Sequence, residues 1–440
     1  METKKYIIKT YGCQMNEHDS ERMSYMLHNL NYIETDKYDD ADLIIYNTCI
    51  IRENAELKVY GHVGAMKALK EKNPNLIIAV CGCMMQIDEA REVIRDKFKH
   101  VDIVFGTKNL SSLPYLLNQY LTYNERVIDV EDVDDIDELQ KAIRKDKHSA
   151  YINIIYGCDN FCSYCIVPYT RGRESSRSES SILKEITQLG EEGYKEITLL
   201  GQNVNSYGKN LHPCTNFPSL LTNISKIDSI ERIRFMTSHP KDLSDELIEI
   251  MKNTEKICKH IHLPLQSGST RILKEMNRKY TAEQYLEKIV KLREAIPDIA
   301  ITTDLIIGFP GETDEDFNDT MNMIEKVRFD QAFMFKYSRR IGTTAAKMNN
   351  QVDKDITSER FQKLLDRVND ICYEKNSEYL NTVQKVLVEG TSKNDTSTLT
   401  GRTDTNRIVH FKGQESYIGE IVNVKITDYN SFALEGELIE

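Results

Sequence analysis

Three cysteines stand within eight consecutive residues near the middle of the chain. Cys158, Cys162 and Cys165 have the spacing C-x3-C-x2-C. Thiolates are ligands of zinc and of iron–sulfur clusters, but a tetrahedral structural zinc site takes four ligands. The neighbouring residues 160–167 supply no fourth cysteine and no histidine. The pattern therefore favours a four-iron cluster held by three cysteines, with one iron open for a substrate or cofactor, over structural zinc.

Three further cysteines each follow a hydrophobic run in the first part of the chain. Cys13 follows the run 6–8, Cys49 follows the run 43–46, and Cys83 follows the run 76–80. The runs alternate with helical patterns, which predicts a parallel sheet whose carboxyl strand ends share one edge. We therefore expect Cys13, Cys49 and Cys83 to converge on one site. Ordinary buried cysteines are the alternative, and Cys81 is an alternative third member because it stands beside Cys83.

The elements that position these cysteines predict an α/β chain with three domains. Six β/α units around the middle cysteines predict an open partial TIM barrel, in which chemistry belongs at the carboxyl strand ends. Short glycine-punctuated strands near the C-terminus predict a small antiparallel β barrel. The predicted segments are a doubly wound parallel-sheet domain at 1–124, an acidic linker at 125–147, the (β/α)6 partial barrel at 148–376 and the β barrel at 377–440.

The composition narrows the class of protein. The chain has 440 residues, 40% of them hydrophobic, and a net charge of −12. It is long enough for several cores, and the acidic balance argues against non-specific nucleic-acid binding through the overall field. We find no signal peptide and no apolar run of about 18 residues, so we expect a cytoplasmic protein without a membrane segment, whose thiols stay reduced.

The middle motif resembles that of the radical S-adenosylmethionine enzymes. In that superfamily an aromatic residue, here Tyr164, precedes the last cysteine, and the motif follows the first barrel strand. The resemblance implies that the open iron binds S-adenosylmethionine. One electron from the cluster then yields a 5′-deoxyadenosyl radical, and Tyr164 lies near the adenine.

The upstream cysteines resemble those of the methylthiotransferases within this superfamily. The matching segments are Tyr11-Gly12-Cys13, Asn47-Thr48-Cys49 and Gly82-Cys83-Met84. In that family three such cysteines hold a second 4Fe–4S cluster with an open iron. The last domain resembles the TRAM RNA-binding domain, so the resemblance covers essentially the whole chain.

The segment from Asn47 to Ala55, N-T-C-I-I-R-E-N-A, resembles the branch of the family that acts on tRNA with a prenylated adenosine. The implied reaction replaces the carbon 2 hydrogen of N(6)-dimethylallyladenosine at position 37 with a methylthio group. It uses two molecules of S-adenosylmethionine. Alternatives are methylthiolation of threonylcarbamoyladenosine or of a ribosomal protein, and, in another class, an RNA-binding protein with structural or redox-sensing clusters.

The resemblance also implies binding residues and partners. The residues expected to bind the cofactor, besides Tyr164, are Gln202, Asn203, Gln266 and Asp304. The residues expected to bind RNA are Arg171, Arg173, Arg402 and Arg407, although a solvated surface is the alternative for such arginines. The implied partners are the anticodon loop of tRNA and an electron donor such as flavodoxin or ferredoxin. We expect a monomer.

Overall fold

The computed structural model describes residues 3–50, 53–130, 141–392 and 395–439, with only the backbone at 53–56. Most of the predicted acidic linker, and Ile51 and Arg52 of the N-T-C segment, lie outside the described residues. The chain divides into two compact units. The first comprises 1–145, 151–159 and 166–181, and the second 146–150, 160–165 and 182–440.

A six-stranded parallel sheet forms the centre of the first unit. Its strands are β1 (Lys4–Thr10), β2 (Tyr32–Glu34), β3 (Leu43–Thr48), β4 (Ile77–Gly82), β5 (Ile103–Phe105) and β6 (Val127–Asp129). They lie in the order β2-β1-β3-β4-β5-β6, and every pair is parallel. The edge strands β2 and β6 were missed because three residues carry too little periodicity to be recognised.

Four helices cover this sheet, two on each face. They are α1 (Gln14–Asn29), α2 (Glu53–Lys72), α3 (Asp88–Lys97) and α4 (Leu113–Tyr123). Met23 of α1 and Leu116 of α4 belong to one buried cluster, whereas Val63 of α2 and Ile94 of α3 belong to the other. Strands covered on both faces are continuously apolar, and the predicted doubly wound sheet is confirmed.

The middle of the chain adds short elements and then parallel strands. The strands are β7 (Ser149–Asn153), β8 (Ile155–Tyr156), β9 (Ser175–Ser176), β10 (Glu196–Leu200), β11 (Arg232–Met236), β12 (His260–His262), β13 (Ala300–Ile307) and β14 (Gln331–Lys336). The helices are α5 (Val167–Arg171), α6 (Glu179–Glu191), α7 (Phe217–Ser225), α8 (Asp245–Asn253), α9 (Thr270–Glu275), α10 (Ala282–Ala295), α11 (Asp314–Val327) and α12 (Lys354–Ser377). Strand β10 pairs with β11, and β13 lies between β12 and β14, all in parallel. This is the predicted open barrel, and it belongs to the second unit from β10 onward.

A closed five-stranded barrel ends the chain. Its strands are β15 (Val383–Thr391), β16 (Thr398–Thr403), β17 (Ile408–Lys412), β18 (Ile421–Tyr429) and β19 (Ala433–Leu438), in the order β15-β16-β17-β19-β18. Four pairs are antiparallel, but β17 and β19 are parallel. The barrel was predicted to be antiparallel, and the structure differs from this prediction only at the pair of β17 and β19. Directions cannot alternate around a closed ring of five strands, so one parallel pair is unavoidable.

Short 3-10 helices complete the described elements: Tyr38–Asp40, Cys83–Gln86, Leu110–Ser112, Val204–Ser206, Pro240–Asp242, Ala345–Lys347 and Glu415–Tyr417. Among the helices of the described residues, none is both long enough and apolar enough to cross a membrane.

Candidate active site

The first set of cysteines lies at the carboxyl edge of the six-stranded sheet. Cys13 occupies the position before α1, Cys49 directly follows β3, and Cys83 begins a 3-10 helix directly after β4. Strands β1, β3 and β4 are adjacent and parallel, so their ends meet at one edge. The structure therefore places Cys13, Cys49 and Cys83 together, as expected, and their role as ligands stays a prediction.

Two glycines allow the loops at this edge to approach closely. Gly12 has φ +136°, and a Cβ there would lie 2.8 Å from the Cβ of Cys49. Gly82 has φ +99°, and a Cβ there would lie 2.3 Å from the carbonyl oxygen of Thr48. Only glycine meets both requirements at low cost.

Cys81 and Cys83 belong to opposite faces of the sheet. Cys81 is fully buried in the cluster beneath α1, where its Sγ lies 3.8 Å from Sδ of Met23. Cys83 belongs to the cluster on the other face. The pKa of Cys83 is raised to about 12, chiefly by burial; Arg171 opposes this rise, and the thiols of Cys49 and Cys13 add to it. This placement favours Cys83 over Cys81 as the third ligand.

Polar side chains beneath the thiols form a buried network. The Asn16 amide donates to Oδ1 of Asn47 and to the carbonyl of Thr48, both at 3.1 Å. Its oxygen lies 3.4 Å from Sγ of Cys13 and 3.3 Å from Nη2 of Arg171. Arg171 also pairs with Asp19 at 3.2 Å. Its burial corrects the prediction that Arg171 contacts RNA, because the guanidinium is enclosed within the first unit.

The donor set fits an iron–sulfur cluster. In the part of the chain that the structure describes, no three His, Cys, Asp or Glu side chains are arranged to share one metal ion. Three thiolates on a four-iron cluster each bind a different iron, so they need not meet around a single ion. Thiols suit iron–sulfur chemistry better than they suit magnesium or calcium.

The motif Cys158 to Cys165 begins in the first unit and ends in the second. On the first side, the amide of Cys158 donates to the carbonyl of Gly172 at 3.1 Å. Gly157 has φ +68°, and a Cβ there would lie 2.0 Å from the carbonyl oxygen of Arg173. The turn that leads into the motif therefore requires glycine.

The second side of the motif is held by the segment after α9 and by the loop after β14. The amide of Ser163 donates to the carbonyl of Met276 at 3.0 Å, and the amide of Ala345 donates to the carbonyl of Ser163 at 2.7 Å. Asn277 donates its side-chain amide to the carbonyl of Phe161 at 2.8 Å. These bonds fix the backbone around Cys162.

A buried arginine, missed from the sequence, contacts this motif. Nη1 of Arg278 donates to Sγ of Cys162 at 3.4 Å. The same guanidinium donates to the carbonyl of Pro264 at 3.1 Å and to the hydroxyl of Tyr280 at 2.9 Å. Burial raises the pKa of Tyr164, also close to Arg278, well above its ordinary value. A fixed positive charge therefore lies beside one sulfur of the motif.

The residues expected to bind the cofactor lie at the carboxyl side of the second unit's strands. Backbone bonds join Gln266 to β13, since its amide donates to the carbonyl of Asp304 at 2.8 Å. Oδ2 of Asp304 lies 3.5 Å from Nε2 of His262. The buried Asn203 donates to Asp242 at 2.7 Å, and its Oδ1 has no partner among the described residues.

Gln202 lies between Gly201 and Asn203 in the loop after β10, and it is half-buried. The loop after β11 links these groups, because Val204 donates its amide to Thr237 at 3.0 Å and Ser238 donates its amide to His262 at 3.1 Å. The structure thus brings Gln202, Asn203, Gln266 and Asp304 to one side of the barrel, and their roles stay predictions.

The other arginines expected to bind RNA differ in exposure. Arg173 is exposed and lies 3.2 Å from Asp159. Arg402 is partly exposed and pairs with Glu389 at 3.0 Å. Arg407 is buried, where it pairs with Asp330 and Asn376 and stacks 4.5 Å from the ring centroid of Tyr379. Its prediction is corrected for the same reason as that of Arg171, since its guanidinium is enclosed.

Family models match three successive parts of the chain. The Radical SAM superfamily matches residues 152–324, the uncharacterized protein family UPF0004 matches residues 5–106, and the TRAM domain matches residues 377–439. Among solved structures, the methyltransferase TsrM from Kitasatospora setae has a TM-score of 0.61 at 12% identity, covering 79% of this chain and 77% of its own. OxsB has a TM-score of 0.53 at 14% identity, covering 82% and 56%. These likenesses show the fold of a radical S-adenosylmethionine enzyme.

Curated relatives match over nearly the full length. The tRNA-2-methylthio-N(6)-dimethylallyladenosine synthases of Alkaliphilus oremlandii and Finegoldia magna are 57% and 54% identical to this chain. Each match covers 99% of this chain, and 93% and 94% of the respective relative. The chain belongs to the tRNA-2-methylthio-N(6)-dimethylallyladenosine synthase family of radical S-adenosylmethionine enzymes.

Proposed function

We infer that this chain is a tRNA methylthiotransferase. It replaces the carbon 2 hydrogen of N(6)-dimethylallyladenosine at position 37 of tRNA with a methylthio group, using two molecules of S-adenosylmethionine. The observation that carries this inference is the similarity to the synthases over 99% of the chain, because it includes both three-cysteine sets.

Each cysteine set holds one 4Fe–4S cluster in this proposal. Cys158, Cys162 and Cys165 hold the cluster that faces S-adenosylmethionine, and Cys13, Cys49 and Cys83 hold the second. When bound, the clusters and S-adenosylmethionine supply the electron, the radical, the sulfur and the methyl group for the reaction. Three cysteines on each cluster leave one iron free of protein ligands.

The chain's own residues orient these groups and exclude water. Arg278 holds the Cys162 thiolate and compensates its charge, since its guanidinium is buried beside the sulfur. Tyr164 covers the adenine of S-adenosylmethionine. Gln266, the Asn203 oxygen and Asp304 offer polar atoms to the rest of the cofactor at the carboxyl side of the barrel.

The partners follow from this function. The TRAM barrel, 377–440, the exposed Arg173 and the partly exposed Arg402 bind the anticodon loop of the tRNA through phosphates. A small electron donor such as flavodoxin or ferredoxin reduces the cluster. The enzyme acts as a monomer in the cytoplasm, with the domains 1–124 and 148–376 joined by the acidic segment.

Mass spectrometry of tRNA nucleosides tests the proposed function. A strain that lacks this chain should accumulate N(6)-dimethylallyladenosine and lose its 2-methylthio derivative, and the wild-type gene should restore it. A Cys49→Ala gene is the matched control, since it should express a folded chain without restoring the product. Retention of methylthiolated prenyl-adenosine, with loss of methylthiolated threonylcarbamoyladenosine, would overturn the assignment.

A further inference from the structure

A buried arginine lies at the first cysteine set although it belongs to the segment after the second set. Arg171 ends α5, six residues after Cys165 in the sequence. Its side chain is 5% exposed, and the partnering side chain of Asp19 is 6% exposed. The segment is anchored in the first unit, because Ile166 belongs to the apolar cluster of Cys83 and Thr107 donates to the carbonyl of Thr170 at 2.9 Å.

Arg171 contacts residues that support the first cysteine set. Its Nη2 donates to Asp19 at 3.2 Å and to Oδ1 of Asn16 at 3.3 Å, and its positive charge lies close enough to Cys83 to oppose the rise in the pKa of that thiol. The same Asn16 oxygen lies 3.4 Å from Sγ of Cys13.

The Asn16 amide holds Thr48, the residue before Cys49, through a bond to its carbonyl at 3.1 Å. One arginine and one asparagine therefore support all three cysteines. In addition, a buried guanidinium is costly unless negative charge surrounds it. Asp19 supplies one such charge, and cysteine thiolates bound to a cluster would supply the rest.

We propose that Arg171 and Asp19 are positioning residues that set the charge balance of the N-terminal cluster. This inference rests on the proposed function, which assigns a cluster to Cys13, Cys49 and Cys83. Reduction adds one electron, and hence one negative charge, to the cluster. The guanidinium of Arg171 stabilises that added charge and orients Cys83, whereas the carboxylate of Asp19 opposes it and holds Arg171 in place.

The charge balance has a consequence for the reaction. Arg171 keeps the cluster reducible in a buried site where several thiolates and a carboxylate would otherwise oppose an added electron. Because Arg171 follows the S-adenosylmethionine motif directly in the chain, one continuous segment serves both cysteine sets.

A full-length chain with Cys158, Cys162 and Cys165 all replaced by alanine isolates the N-terminal cluster for the test. This parent is reconstituted anaerobically, its iron is counted, and its reduction potential is measured by titration followed by electron paramagnetic resonance. About four irons per chain are expected. Arg171→Met should shift the potential to more negative values, and Asp19→Asn should shift it to more positive values.

Two further variants separate charge from folding. Arg171→Lys keeps the positive charge but lacks the planar guanidinium. The reduction potential of its cluster should therefore stay near that of the parent, even if the variant retains less iron. Arg95→Met is the matched control, because this arginine of α3 is exposed and pairs with Asp96 at 2.9 Å, and it should leave iron and potential unchanged. If Arg171→Met does not fold, the test rests on the other two variants. Asp19→Asn should then shift the potential to more positive values, and Arg171→Lys should keep it near that of the parent.

Opposite shifts for Arg171→Met and Asp19→Asn support the proposal, since a merely structural role would not move the potential in two directions. Two results would overturn this inference but leave the proposed function intact, provided that the parent holds about four irons. One is a shift of the same sign in Arg171→Met and Asp19→Asn, and the other is an unchanged potential in both of these variants. A parent that binds no iron would instead overturn the second cluster of the proposed function, and this inference with it.

Discussion

At the scale of single residues, each cysteine set has a buried arginine beside it. Arg171 contacts Cys83, and Arg278 contacts Cys162. Burial alone would lower the pKa of each arginine, but nearby cysteines and other acidic groups keep both above the ordinary arginine value. Each cysteine set therefore has a charged guanidinium buried beside it.

The roles proposed for the two cysteine sets are separable, and single alanine variants test them. We expect Cys162→Ala to abolish reductive cleavage of S-adenosylmethionine, because the cluster that faces the cofactor loses a ligand. Cys49→Ala should spare that cleavage and stop thiolation. Liquid chromatography of 5′-deoxyadenosine and of digested tRNA measures both. Wild-type thiolation by Cys49→Ala would show that the second cluster is wrongly assigned.

The contact between Arg278 and Cys162 predicts a further loss of activity. Arg278→Met removes the charge and the hydrogen bond to Sγ, and we expect cleavage of S-adenosylmethionine per bound iron to fall about 10- to 100-fold. Lys279→Met changes an exposed neighbour and is the control. An unchanged rate for Arg278→Met at full iron content would contradict the positioning role.

At the scale of elements, the turn between β4 and Cys83 depends on Gly82. Gly82→Ala forces a side chain into φ +99° and against the carbonyl oxygen of Thr48. We expect the free energy of unfolding of the cluster-free protein to fall by at least about 1–3 kcal/mol in urea. Gly61→Ala, in the middle of α2 with open space around it, should instead add about 0.5–1 kcal/mol. Equal effects of the two changes would refute this explanation.

The start of α11 carries a pH-dependent contribution to stability. Asp316 completes the capping box with Thr313 and accepts hydrogen bonds from Ser269 and Arg271. Burial pushes its pKa upward, but these bonds outweigh burial and lower the pKa to about 2. The stabilisation is therefore fully present above about pH 4, the ordinary range for aspartate, and is lost as the pH falls through about 2.

We accordingly expect Asp316→Asn to cost about 2 kcal/mol at pH 7, with a smaller cost at pH 3. Urea unfolding at the two pH values measures the difference. The exposed Asp319→Asn on the same helix is the control. A cost for Asp316→Asn that does not shrink at low pH would show that the carboxylate charge is not its source.

At the scale of the molecule, arginines of β11 hold the five-stranded barrel to the rest of the second unit. Arg232 donates to the carbonyls of Arg402 and Lys385 at 2.9 and 2.8 Å. Arg234 donates to the carbonyls of Asp404 and Thr403 at 3.1 and 2.6 Å. Two buried arginines thus hold four carbonyl oxygens of the TRAM barrel at fixed positions against β11.

Loss of the hydrogen bonds from Arg234 should make the TRAM barrel more mobile. Arg234 also pairs with the buried Glu196 at 2.9 Å, so Arg234→Met leaves that carboxylate unpaired. We expect a loss of about 3–5 kcal/mol in unfolding free energy and faster amide exchange in 377–440 by mass spectrometry. Adding Glu196→Leu should recover part of the loss. Exchange in the TRAM barrel at the wild-type rate would contradict the prediction.

Local patterns were enough to predict much of the fold. Continuous apolar runs showed that β3 and β4 are buried on both faces, and glycine-punctuated alternation showed the terminal barrel. The positions of Cys13, Cys49 and Cys83 could be predicted as well, because a residue just after a parallel strand must lie at the shared edge of the sheet. The three-residue strands β2 and β6 were missed, since their pairing depends on a neighbour and not on their own residues.

Cysteine type and spacing, read in the sequence alone, predicted the class of enzyme, the two sets of candidate ligands and their place at strand ends, since these depend on neighbours along the chain. Only the tertiary structure showed which arginines lie beside the two cysteine sets. Arg171 was expected to bind RNA, and Arg278, which lies 116 residues after Cys162, gave no local signal at all. Charge compensation of a buried thiolate requires proximity in space, and the chain can supply that proximity from any distance along the sequence.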